Sequence, residues 1–288
     1  MLEPLIHEAA LKCDVEGLRI CLSREAKYER YACPVDAREP GGHTALHLLC
    51  GSNSAYAAMY VQTGKRNAET VEACFHLLRE AGADLNARDS AGFTALHHVA
   101  HCSGAYEAHM IPLLQHDCLQ LASLLLSHGA DVNATDHQSI AGHTSPLHEA
   151  VLCSAMTALL VKAGADVNLL DRDGRTPLYT ALLFATRWSN ERARMVNYHP
   201  LRATVPILLH AGAAIIGEIS DYIIGDPADY DFSQGVALYF QKVIDAGGFK
   251  KYEQAHLAAL TATFAPKLRL PVRPARLVAE YWGHAGYY

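Results

Sequence analysis

The sequence predicts an all-α solenoid: helix pairs stacked in a row, joined by short β-turn fingers and closed by a helical C-terminal cap. Three observations predict it. One phrase recurs as HTALHLLC (43–50), FTALHHVA (93–100), TSPLHEAV (144–151) and RTPLYTAL (175–182). A second phrase follows each of these, as EAGADLNARD (80–89), SHGADVNATD (127–136), KAGADVNLLD (162–171) and HAGAAIIGEI (210–219). Between the two phrases the apolar residues keep one phase of a 3.6-residue period, as a helix with a single buried face requires.

The chain opens on PLIHEAALKCDVEGLRICLSREA (4–26), a degenerate first unit whose more polar exterior suits the end of a stack. In each later unit a first helix follows Thr44, Thr94, Ser145 or Thr176, whose hydroxyls can cap the free N–H groups. His47, His97 and His148 stand three residues further on, placed to reach back to the turn as in a capping box; Tyr179 takes that place in the last unit. The second helices share a core phase, read four, seven, eight and eleven residues before Gly82, Gly129, Gly164 and Gly212. Those positions are Leu78, Phe75, Cys74 and Val71; Leu125, Ala122, Leu121 and Cys118; Leu160, Thr157, Met156 and Cys153; Leu208, Val205, Thr204 and Leu201. All are apolar except the two threonines. Each glycine supplies the left-handed residue that ends its helix, and the Asp-Leu/Val-Asn after the first three starts a turn. One helix pair cannot cover its own apolar faces, so neighbours must bury them.

The T-P-L-H-like phrase and the G-A-D-V-N turn resemble the ankyrin-repeat family over roughly residues 1–216, with about five units of which the first is a cap. The expected organisation is an ankyrin-repeat domain at 1–216 and a helical capping region at 217–288. The resemblance implies a non-enzymatic module or adaptor that binds other proteins through its turn tips and the exposed side of its first helices. Carried over by position, it implies partner contacts at Arg38, His43, Arg88, Ser90, Phe93, His98, His137, Gln138, His143, Arg172, Asp173 and Arg175. That row is richer in arginine and histidine than the acidic whole, which suits a partner with an acidic segment. The resemblance also marks Asn86, Asn133 and Asn168, each eight residues after a leucine, as the kind of turn asparagine an oxygenase hydroxylates; the same residues serve equally well to shape the turn.

Spacing departs from the family's 33-residue period. Thr44 to Thr94 and Thr94 to Thr144 each span 50 residues, while Thr144 to Thr176 spans 32. The extra length falls between the paired helices, near 51–69, 101–117 and 184–200. Such segments either lengthen helices and cover the stack or form a lateral binding face, since long loops often carry function. Trp188, Arg192 and Arg194 are the anchors of the second alternative.

After Ala214 the repeat phrase dissolves. Residues 224–232 read as a loop, 236–248 and 252–264 as helices that close the last apolar face. LRLPVRPARLVAEYW (268–282) loosely resembles the cullin-contacting part of a SOCS box, which supplies the alternative of a substrate receptor for a cullin ubiquitin ligase.

Composition excludes several classes. A formal charge of −6 lacks the basic face that grips nucleic acid. No apolar run approaches membrane-spanning length, and Glu3, His7 and Glu8 interrupt any secretory signal. Cys13, Cys21, Cys33, Cys50, Cys74, Cys102, Cys118 and Cys153 form no C-x-x-C pair and read as reduced core thiols, which places the chain in the cytoplasm or nucleus. His97, His98, His101, Cys102, His109, His116 and Cys118 crowd one stretch. With His97 at the turn and Cys118 in the core phase they give no closed ligand set, so neither metal nor cofactor is expected. The absence of a nucleophile elbow, phosphate loop or dinucleotide fingerprint leaves no catalytic residues to name.

Overall fold

Helices account for most of the described backbone in the computed structural model, which covers residues 5–23, 34–51, 66–104, 112–136, 142–187, 200–215 and 239–268. No strand occurs among the described residues, so the chain is all-α there. It divides into two compact units, Met1–Thr180 and Ala181–Tyr288.

Among its described residues the first unit contains four helix pairs: α1 (Leu5–Lys12) with α2 (Val15–Leu22), α3 (Ala45–Cys50) with α4 (Ala68–Glu80), α5 (Ala95–Gly104) with α6 (Pro112–Ser127), and α7 (Pro146–Glu149) with α8 (Ser154–Lys162). A 3-10 turn, Ala150–Leu152, joins the last two. First helices pack in succession, α1 on α3, α3 on α5 and α5 on α7; second helices do the same, α2 on α4, α4 on α6 and α6 on α8. The side chains explain the pairing. Val71, Cys74, Phe75 and Leu78 of α4, Cys118, Leu121, Ala122 and Leu125 of α6, and Cys153, Met156, Thr157 and Leu160 of the last pair are all buried. Thr157 is tolerated in that core because its hydroxyl donates to the Ala150 carbonyl at 3.0 Å. Gly82, Gly129 and Gly164 take φ of 88°, 94° and 93°, the left-handed region that stops each second helix.

Histidines fasten each pair to the next. The Nδ1 atoms of His47, His97 and His148 each accept the backbone N–H of Thr44, Thr94 or Ser145 at 3.2 Å, which is the reach-back expected from sequence. Their Nε2–H groups then donate to the following repeat: His47 to Phe93 O at 3.1 Å, His97 to Thr144 O at 3.0 Å, and His148 to Arg175 O at 3.1 Å. His7 makes the equivalent bond to His43 O at 3.1 Å. The series ends where Tyr179 replaces histidine; there Thr176 Oγ1 still accepts the Tyr179 N–H at 3.2 Å. Burial holds His47 and His97 down to a pKa of about 4, and it lowers His148 as well.

Arg66 and Asp117, one described residue from each of the first two insertions, meet inside the protein. Arg66, fully buried, donates from Nη2 to Leu49 O at 2.8 Å and lies with its Nε 3.7 Å from Asp117 Oδ2. The described parts of the second insertion, 101–104 and 112–117, are helical and lengthen α5 and α6. The six cysteines whose side chains are described, Cys13, Cys21, Cys50, Cys74, Cys118 and Cys153, are reduced and buried.

In the second unit α10 (Pro200–His210) packs on α11 (Phe249–Leu268). Thr204, Val205 and Leu208 are buried as their phase requires, while the Leu201 side chain lies outside the described residues. A helical stretch at 239–245 buries Phe240 and Val243 before Gly247 and Gly248 turn the chain into α11. The helix expected at 252–264 starts earlier, at Phe249, and runs to Leu268. His210 binds α11 through Glu253 at 2.9 Å and packs edge-on to Phe249. Helix α9 (Pro177–Arg187) includes the start of the third insertion. No described helix is long and apolar enough to cross a membrane.

Candidate functional site

Turns between the helix pairs are the outward part of the first unit, and their construction decides which side chains remain for a partner. Each turn starts on an Asp whose carboxylate accepts the backbone N–H two residues on: Asp84 from Asn86, Asp131 from Asn133 and Asp166 from Asn168, all at 2.9 Å. The asparagine then reaches across to its neighbour. Asn86 Oδ1 accepts the Asp131 N–H and Asn133 Oδ1 the Asp166 N–H, both at 2.8 Å, with Asp36 doing the same for Asp84 at 3.2 Å. A second acid closes each reversal: Asp89 Oδ1 accepts Ala91 N–H at 2.8 Å and Phe93 N–H at 3.0 Å, and Asp171 Oδ1 accepts from Asp173 at 2.9 Å and Arg175 at 2.8 Å. Gly42 permits close approach of two turns. Its φ is 78°, and a Cβ there would meet Ser90 Oγ at 2.4 Å.

Several residues expected at a partner surface are engaged inside this framework. Arg38 donates to Gly42 O at 2.9 Å and also to Arg88 O; Arg88 donates to Gly92 O at 3.1 Å and also to Thr135 O. Phe93 lies against the rings of His97 and His98, 5.4 and 6.0 Å between centroids, so it is a half-buried packing residue rather than a bare tip. Arg175 pairs with Asp173 at 2.8 Å. Ser90, His143, Arg172 and Asp173 are exposed, as is Arg38 despite its bonds. His137, Gln138, Trp188, Arg192 and Arg194 lie outside the described residues, as does the 269–288 segment. Leu170, which sequence reading passed over, is 48% exposed and stands beside Arg172 and Asp173. Its signal was available: it occupies the position held by Arg38 and Arg88 in earlier turns.

The crowded histidine stretch separates by role. His97 is the inter-repeat fastener already described. His101 binds Glu149 Oε2 at 2.8 Å, a contact that raises its pKa. His98 turns the other way and joins His43 and Asp89, where one ligand-type atom from each lies within 4.8 Å of the others. Spacing along one helix gave no ligand set within the stretch 97–118; packing of one repeat on the next brings one of its members, His98, together with His43 and Asp89. Within the group Asp89 Oδ2 accepts the His98 Nε2–H at 2.8 Å and lies 3.5 Å from His43 Nε2, while His43 Nδ1–H donates to Glu39 Oε1. Burial opposes the charge on Asp89, yet the His98 hydrogen bond and the Phe93 and Ala91 N–H donors outweigh it and hold the carboxyl at about 2.

No curated protein matches this chain. Residues 143–172 match the family model for the ankyrin repeat. That stretch holds the Ser145–His148 cap, the Gly164 stop and the Asn168 turn, so this part of the chain is similar to an ankyrin repeat.

Proposed function

We propose that the chain is a non-enzymatic adaptor that binds other proteins along its turns, with 1–216 forming one ankyrin solenoid and 217–288 its helical cap. The observation that carries this reading is the division of labour within the turns. Their backbone donors and most of their Asp, Asn and Arg side chains are occupied within the turn or by the neighbouring repeat, while Ser90, His143, Leu170, Arg172 and Asp173 face solvent. A rigid framework with an exposed leucine flanked by charged residues is what a protein interface needs: an apolar anchor and a polar rim, already ordered before binding. Arginine and histidine along the row favour an acidic segment in the partner, and reduced buried thiols favour a cytoplasmic or nuclear setting.

The test is quantitative affinity capture with the full-length chain against a Leu170→Ala/Arg172→Ala/Asp173→Ala variant. Loss of a reproducible subset of captured proteins, with the variant's thermal midpoint within experimental error of the parent's, is the expected result. An identical captured set sinks the assignment of this surface.

A further inference from the structure

We propose that His43, Asp89 and His98 form a binding site for a divalent cation of the zinc class, held between the second and third helix pairs with its remaining coordination open to solvent. The donor set is the first reason. Two imidazoles and one carboxylate suit zinc and its neighbours, whereas calcium and magnesium take oxygen ligands. The spacing is the second. In a tetrahedral site with bonds of about 2.0–2.1 Å, ligand atoms stand roughly 3.3–3.5 Å apart. Asp89 Oδ2 lies 3.5 Å from His43 Nε2 and 2.8 Å from His98 Nε2, so admitting an ion asks only for side-chain adjustment.

The surroundings orient the ligands, and because His98 now donates its Nε2–H to Asp89, an ion bound there displaces that proton. Glu39 accepts the Nδ1–H of His43, which fixes the tautomer and leaves the Nε2 lone pair toward Asp89. That is the carboxylate–histidine–metal relay by which outer groups orient an imidazole. Gly41 preserves this contact, since a Cβ there would come within 2.8 Å of His43 Nδ1 and 2.9 Å of Glu39 Oε1. Asp89 is pinned through its other oxygen by Ala91 and Phe93, which frees Oδ2 for the site. Nearby His47 is no competitor, because both its nitrogens are occupied by Thr44 and Phe93. Side-chain exposures of 30% for His43 and 23% for His98, against 2% for Asp89, give an ion a route in and leave a face for water or a partner's carboxylate. Because the ligands come from two successive repeats, binding should strengthen their junction.

The experiment uses full-length protein purified without a histidine tag, stripped with chelator and titrated with Zn²⁺ and, as a spectroscopic probe, Co²⁺. Expected are one bound ion per chain, a cobalt spectrum of low coordination number, and a thermal midpoint that rises with zinc. His43→Gln and His98→Gln should each abolish the one-ion stoichiometry, Glu39→Gln should weaken it about 10–100-fold, and His101→Gln should leave it unchanged. Circular dichroism of each variant separates lost ligation from lost fold. A parent chain that binds no zinc in excess metal, or whose binding survives both ligand substitutions, overturns the proposal. Neither result bears on whether the exposed turns bind protein.

Discussion

A histidine in the T-x-L-H position serves two repeats at once, and the chemistry of its ring makes that possible. Nδ1 must be a bare acceptor to take the cap N–H, and Nε2 must carry a proton to reach the next repeat's carbonyl, so the neutral Nε2–H tautomer is the one that fits. Protonation removes the acceptor. His148→Ala should therefore cost about 2–3 kcal/mol, from the buried Ser145 N–H left without its acceptor and the loss of one of the two donors to the Arg175 carbonyl, the other being Asp171 N–H, measured by equilibrium denaturant unfolding. The pH dependence follows in sign. His47, His97 and His148 have folded pKa values below that of an unfolded histidine, so the unfolded chain binds more protons as pH falls. Stability should decline as pH drops below about 6.5 and keep declining toward about 4. His101 acts in the opposite sense: raised by Glu149, it favours the folded state below the unfolded pKa and loses that contribution as pH rises through its own. His256 is lowered by burial as well, so four stand against one and the net slope should be destabilising on the acid side. A midpoint in chelator-containing buffer that stays flat between these limits contradicts the tautomer assignment.

At the scale of the helix, what sequence made legible was whatever depends on local period. The core phase of α4, α6 and α8 came from counting back to a glycine, because a 3.6-residue repeat puts those residues on one face whatever lies beyond. The contacts that depend on stacking were not legible. Asp89 and His43 are distant in sequence and become neighbours only because Gly42 lets one turn settle on the next. Phe93 looks like an exposed tip by position, yet the ring of His98 covers it from a helix whose register sequence alone does not fix relative to the turn. The Arg66–Asp117 pair was hidden for another reason: both residues fall in insertions that carry no repeat phase. Removing one charge of that buried pair leaves the other without compensation. Arg66→Met or Asp117→Leu alone should cost roughly 3–5 kcal/mol, whereas the double variant should recover most of it. A double variant no more stable than the worse single one would show that the pair's geometry, rather than its charge balance, holds the two insertions together.

For the whole molecule, the −6 charge and the occupied turn backbone bear on what the protein recognises. If an acidic partner segment meets the arginine and histidine of the turns, the captured complexes should weaken as salt rises; salt-insensitive capture would point to Leu170 as the dominant anchor. All of this rests on neighbouring repeats satisfying one another's turns. Asp131 and Asp166 lie on exposed residues, yet their amides donate to Asn86 and Asn133 of the preceding repeat. Amide hydrogen exchange of the free full-length chain examines that coupling directly. The stack predicts exchange at these two amides slowed to the rate of neighbouring helix interiors. Exchange there as fast as in an unstructured loop would contradict it.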